Sequence, residues 1–250
     1  MDYFISFMEH PFIKAVIADG NEVFKYRNID ITKLDFEPEP QFDEYEFFIH
    51  NVGFWLVSFI QHFDQLKFAI EFMSNYDYSK NYESNRPDRV DHLLYTVENF
   101  HIRYSSIFDR IMQLLNSVFH LGLDESKVDY SVIITNIKIK RTIIPKAIKN
   151  IRKIVYENSE IRNQIIHRHS YRDVKLWKLR LFYSNKDLDN NNESDKALIV
   201  FRTERLKGYI KSKKEEFVNL NTAIQIEIDK LFDILLIEYC KQKNRLSILR

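Results

Sequence analysis

About two thirds of the way along the chain, the run Glu160-Ile-Arg162-Asn163-Gln-Ile-Ile-His167-Arg168-His169-Ser-Tyr171 gathers side chains suited to chemistry on phosphates. An imidazole, with an ordinary pKa of about 6.5, takes and gives protons near neutral pH. A guanidinium keeps its charge at any working pH and presents a planar fork of donors that can clamp two phosphate oxygens. The amide of Asn163 can orient the imidazole or hold a nucleic-acid backbone. Charge around the run is of the matching sign: Lys138–Arg180 holds 13 basic and 3 acidic residues. Residues 1–100 carry 8 Lys+Arg against 18 Asp+Glu, and the remainder carries 29 against 18, so a net charge of +1 conceals an acidic first part and a basic second part. A basic stretch is the footprint expected of a polyanion partner. The plainer readings are a solvated face, or a dock for an acidic surface, the protein's own or a partner's.

Spacing constrains how these groups can meet. At about 100° per residue, positions five apart on a helix lie about 140° apart around it, whereas Asn163 and His167, four apart, nearly eclipse. Arg162 and His167 therefore do not converge from one intact helix. Either the last turn is unwound, or a second copy across a two-fold axis completes the site.

The elements that must carry the run read as helices. Tyr45, Phe48, Val52, Trp55, Phe59, Phe63, Leu66, Ile70 and Met73 recur at three- and four-residue steps, as one face of a helix does. Positions 90, 94, 97, 101, 104, 108, 111, 115 and 118 alternate four and three without a slip, which predicts a seam packed lengthwise on a neighbour. Gly122 is placed to cap that helix. Pro145 suits a first turn, and Ile148, Ile151, Val155, Ile161 and Ile165 predict one helix from 145 to 168. Residues 128–139 fit a connecting helix or an extended piece. Ser79–Arg86 and the Asn-rich run 187–196 read as polar loops. A last long helix is expected from a Thr203 N-cap through Leu206, Ile210, Phe217, Leu220, Ile224, Ile228, Leu231 and Leu235. Residues 1–40 form an N-terminal extension. Its Asp19-Gly20 pair either turns between two strands or lies in a short helix, and the helix is preferred. The expected fold is all-α: an up-and-down helical bundle of long antiparallel helices, with residues 41–250 as one domain.

Composition excludes several function classes. The four glycines (20, 53, 122 and 208) are too far apart for a dinucleotide fingerprint or a Walker loop. Cys240 is the only cysteine, so an internal disulfide and a cysteine-based zinc site are ruled out. The longest uncharged stretch, Phe47–Phe63, is 17 residues with several polar members, short of the roughly 20 apolar residues a spanning helix needs. The start MDYFISFMEH has no signal-peptide pattern. A cytoplasmic protein without membrane contact, metal or cofactor is expected.

The Arg162–His167 pair, with Asn second, resembles the Arg-x-x-x-x-His signature of the HEPN superfamily. The helix from residue 88 resembles a corresponding helix of stand-alone bacterial members through its run Glu98-Asn-Phe-His-Ile-Arg103-Tyr-Ser-Ser-Ile-Phe-Asp109-Arg110. The resemblance covers about residues 88–185. It implies a small helical bundle acting as a metal-independent endoribonuclease, in a toxin–antitoxin or phage-defence setting, with two motifs meeting at a homodimer interface. Under it, His167 transfers the proton, Arg162 stabilises charge, Asn163 orients, and Arg168, Arg172 and Lys175 hold RNA. Some members carry Tyr two residues after the His, where a partner nucleotidyltransferase modifies it. Here that position is His169 and Tyr171 comes two later, so that antitoxin chemistry is not implied, while another antitoxin protein remains compatible. His169 and Tyr171 are auxiliary candidates.

Other readings stand beside this one. The same motif suits a non-catalytic HEPN-like module that binds nucleotides, RNA or protein, and the basic half suits an interaction protein with an acidic partner. His167 fits a helix C-terminus, where imidazolium is favoured by the dipole, and Arg162 can pair with Glu160. His101 falls on the apolar seam as a hydrogen-bonded core histidine, and Arg103, Asp109 and Arg110 read as an ion-pair set.

Overall fold

The computed structural model describes residues 7–27, 41–74, 89–157, 159–167, 170–184 and 192–249. Every regular element among them is helical: α1 (Pro11–Tyr26), α2 (Glu44–Phe72), α3 (Arg89–Val118), α4 (Tyr130–Thr135), α5 (Ile137–Lys140), α6 (Ile144–Tyr156), α7 (Ser159–His167), α8 (Val174–Ser184) and α9 (Glu193–Ile248), with short 3-10 turns at Phe7–Glu9 and Glu125–Lys127. The chain is an all-α helical bundle. Among the described residues no helix is long and apolar enough to cross a membrane.

Its contacts fall into two compact units. Unit 1 comprises Met1–Phe63, Ser106–Val155 and Ile224–Arg250; unit 2 comprises Asp64–Ser105 and Tyr156–Ala223. The polar loop expected at Ser79–Arg86 lies outside the described residues.

Unit 1 is built on aromatic rings. Phe7 meets Phe63 and Phe232 edge-on at 4.8 and 5.4 Å, and Phe48 stacks on Tyr239 at 5.5 Å. α1 starts at Pro11, a residue fitted to a first turn because it has no N–H to leave unpaired, and the His10 ring accepts from the Phe12 N–H at 3.2 Å. Gly20 lies inside α1, so the Asp19-Gly20 pair marks no turn. Asp19 instead receives the Tyr239 hydroxyl at 2.8 Å and the Lys243 ammonium at 2.8 and 3.0 Å. α2 opens with a reciprocal cap: Asp43 accepts from the Glu46 N–H at 2.9 Å, and Glu46 accepts from the Asp43 N–H at 3.1 Å. The Glu46 side chain is 1% exposed and is held by Arg27, whose Nε lies 3.1 and 3.0 Å from its two oxygens.

Three local expectations change. α3 is not capped at Gly122. His120 takes the left-handed conformation (φ 48°), the Leu121 N–H reaches back to the Asn116 carbonyl at 3.0 Å, and Lys138 covers the Phe119 and His120 carbonyls at 3.1 and 3.0 Å. An ammonium at a helix C-terminus satisfies carbonyls that no helical N–H reaches. The helix expected over 145–168 is two, α6 and α7, divided after Tyr156. Thr203 is interior to α9, not its cap, because its hydroxyl is satisfied by the Ile199 carbonyl one turn earlier, at 2.7 Å. Residues 128–139 are helical apart from short breaks.

The α3 seam is buried at eight of its nine expected positions, with Leu94 half-buried. A second row, Leu93, Phe100, Ile107 and Leu114, is buried as well, so α3 is covered over a broad face and not along a narrow stripe. In unit 2 the rings of Phe100 and Phe217 lie 3.7 Å apart and nearly parallel, and the Tyr104 hydroxyl donates to the Leu220 carbonyl at 3.3 Å.

Candidate functional site

α7 carries the three residues of the motif on nine residues of helix, and His167 is its last. Arg162 is half-buried, Asn163 and His167 are exposed, and none of the described α7 side chains is buried. The guanidinium donates from Nη1 to the Asn163 amide oxygen at 3.1 Å. Asn163 therefore touches the Arg of the motif, whereas helical spacing had pointed to the His. α7 is helical through His167, which removes the unwound last turn as a way to bring Arg162 and His167 together. On one intact helix they stay about 140° apart.

Arg168 and His169 lie outside the described residues. Arg172 and Lys175 are exposed. The basic stretch is divided: its members up to Lys153 belong to unit 1, and those from Arg162 onwards to unit 2. Some are committed to structure. Lys138 caps α3, Arg152 lies over the Tyr130 ring at 4.2 Å, and Arg180 bonds to Asp91 at 2.9 Å. Arg103 donates to the amide oxygens of Asn99, at 2.6 Å, and Gln65. Arg110 reaches Ser58 at 3.4 Å.

Tyr171 sits in a polar cluster that the sequence did not reveal. Its N–H donates to the Glu98 carboxylate at 2.7 Å, and its hydroxyl receives Lys213 at 3.0 Å. Lys213 also bonds to Glu216 at 2.7 Å and lies 3.9 Å from Asp173. Asp173 caps α8 through the N–H groups of Lys175 and Leu176, at 2.8 and 3.2 Å, and accepts the Tyr209 hydroxyl at 3.1 Å. Burial works against the Lys213 ammonium, but its bonds to Glu216 and Tyr171 outweigh that and hold it above the ordinary lysine range. Burial pushes the Tyr171 phenol up against the pull of Lys213. It pushes Tyr209 up further, with Asp173 adding to the effect. These bonds make the cluster a hydrogen-bonded anchor for Tyr171 and Asp173 ahead of α8. The only hint in the sequence was Asp173 itself, a cap residue at the start of a helix. Lys213 is hidden in the run Lys211-Ser-Lys-Lys214, which reads as a solvated face.

His101 is core, as its place on the seam implies, at 2% exposure. It is not hydrogen-bonded: neither ring nitrogen has a partner among the described residues. Its ring stacks on Tyr171 and meets Phe217 edge-on. Burial, with Lys213 nearby, holds it neutral and lowers its pKa to about 4. Among the described residues no group of three or more His, Cys, Asp or Glu side chains converges as a metal-binding set.

No curated protein and no solved structure matches this chain. A family match does exist: the chain is similar to the Cthe2314-like HEPN family over residues 55–235. That span covers well over half the chain, takes in α3, α7 and α8 whole, and extends on both sides of the segment, about 88–185, in which the motifs lie. With a helical bundle around an Arg-x4-His run that closes a helix, and a family match of this extent, the chain belongs to the HEPN superfamily, in its Cthe2314-like family.

Proposed function

We propose that the protein is a metal-independent endoribonuclease that works as a homodimer, in a toxin or phage-defence setting, with Arg162, Asn163 and His167 as its reacting set. The observation that carries this is the placement of α7. The imidazole is open to solvent on the last residue of the helix, and the guanidinium is only partly covered. A motif sealed in a core would have favoured the non-catalytic binding module.

In the proposed reaction His167 takes the proton of a ribose 2′-hydroxyl. The 2′-oxygen attacks phosphorus, the bond from phosphorus to the 5′-oxygen breaks, and an imidazolium returns a proton to that oxygen. The products are a 2′,3′-cyclic phosphate and a 5′-hydroxyl. Arg162 neutralises charge on the pentacoordinate phosphorus, and Asn163 fixes the guanidinium. Because the two groups point about 140° apart on one helix, Arg162 of one copy is assigned to the same phosphate as His167 of a second copy.

The test is cleavage of RNA by the purified full chain in EDTA, with the cyclic phosphate as readout. Cleavage abolished by EDTA, or surviving His167→Ala, defeats the scheme. RNA binding without cleavage would leave the binding-module reading in its place.

A further inference from the structure

Within unit 2, α8 and the first part of α9 enclose a groove of about 900 Å³, at the upper end of the ~300–1,000 Å³ usual for ligand pockets. Its lining includes Lys175, Lys178, Phe182, Phe201, Arg205 and Gly208. Among the described residues neither lysine pairs with a carboxylate, and the Arg205 guanidinium lies over the Phe201 ring at 5.0 Å. Phe201 is 40% exposed, and Phe182 meets it edge-on at 5.5 Å. Of the acids in the groove, Asp173 is taken by the α8 cap and Tyr209, and Glu216 by Lys213. Among the described lining residues, with Lys213 counted, four cations face three carboxylates.

Gly208 supplies an independent observation. It lies inside α9, where glycine is among the least favourable residues. A Cβ added there would meet nothing within 4 Å, so no contact inside the protein requires its absence. With no side chain there, the helix backbone on the groove wall is open to close approach by a ligand.

We infer that this groove binds a segment of single-stranded RNA, with a base against Phe201, phosphates on Lys175, Lys178 and Arg205, and the strand passing over Gly208. Aromatic platforms interleaved with cations are the device by which single strands are held without regard to sequence. The choice of occupant rests on the ribonuclease reading. His167 precedes Asp173 by six residues, a tether of at most about 21 Å, so a strand in the groove passes near α7.

The test uses the full chain and a fluorescent 2′-O-methyl oligouridine, which lacks the attacking hydroxyl and reports binding without cleavage. Binding that weakens with salt is expected, and Gly208→Leu, which fills the groove without touching a charge, lowers affinity by about tenfold or more. Lys178→Glu and Arg205→Glu do likewise and flatten the logarithmic salt dependence by about 0.7 for each phosphate that is no longer neutralised, while Lys241→Glu in unit 1 has little effect. Gly208→Ala, with a side chain of one carbon, raises thermal stability. The glutamate variants keep the test decisive if Gly208→Leu fails to fold. An oligonucleotide that does not bind, or binds all these variants as it binds the native chain, overturns the groove. Binding that follows these expectations in a chain that cleaves no RNA sinks the ribonuclease reading alone.

Discussion

The ring of His101 lies stacked on that of Tyr171, centroids 5.5 Å apart and planes inclined by 29°. This contact joins the middle of α3 to the segment that follows the motif helix. Since His101 is neutral in the folded protein, with a pKa lowered to about 4, and near 6.5 when unfolded, the unfolded chain binds a proton that the folded chain refuses. The stabilising effect is complete above pH 6.5 and drains away as pH falls towards 4. The expected loss is about 2 kcal/mol between pH 8 and pH 5. Urea unfolding at both values measures it, and His101→Phe removes most of the difference. An unchanged pH dependence in that variant contradicts the assignment.

Truncating the motif should cost activity and spare the fold. His167→Ala is expected to lower RNA cleavage by about 10²–10⁴, and Arg162→Ala by a comparable factor, with stability changed by about 0.5 kcal/mol or less because neither side chain is buried. Initial rates on a fixed RNA and thermal melting of the same preparations decide it together.

Mixing the two inactive variants tests the shared site. If Arg162 of one copy serves the phosphate attacked through His167 of another, a heterodimer of Arg162→Ala and His167→Ala keeps one complete set and regains cleavage. Each homodimer alone stays inactive. No recovery after subunit exchange, in preparations shown to be dimeric, argues for a site within one chain.

Arg27→Ala should be strongly destabilising. It strips the guanidinium from Glu46, whose side chain is 1% exposed, and leaves that carboxylate without its cation. Chemical denaturation reads this directly. Arg27→Ala with Glu46→Gln should be less damaging than Arg27→Ala by itself.

In unit 1, Asp19→Ala leaves the fully buried Tyr239 hydroxyl without its acceptor and Lys243 without its carboxylate. About 2 kcal/mol is expected. Tyr239→Phe, which removes the hydroxyl as well as its need for a partner, should cost less than Asp19→Ala in the same urea titration.

How far the structure was legible follows from the range of the forces involved. The apolar positions of α2 and α3 obey a local period, so sequence alone places Phe59, Phe63, Val97 and Tyr104 in a core. The motif was likewise seen to end a helix. What stayed hidden depends on competition or on distance. The division of α6 from α7 is not hidden in this way: Val155 and Ile161, six residues apart, lie about 120° apart around one helix, so the apolar face shifts at the break. Thr203 has the chemistry of a cap, but a carbonyl one turn back claims its hydroxyl. The Lys213 cluster joins residues some forty positions apart, and no period reports such a meeting. His101 could be placed inside by its position, while its missing hydrogen-bond partners could not.

α7 differs in anchorage from the helices beside it in sequence. α6 sinks Ile144, Ile148, Ile151 and Val155 into its core, α8 sinks Leu176 and Leu179, and α7 sinks none of its described side chains. The grip that the interior exerts on an element sets how cheaply it can be re-aimed. The imidazole and guanidinium thus ride on a pointer held lightly by its own chain, whose aim any contact made on Ile166 and its neighbours from outside would help to set.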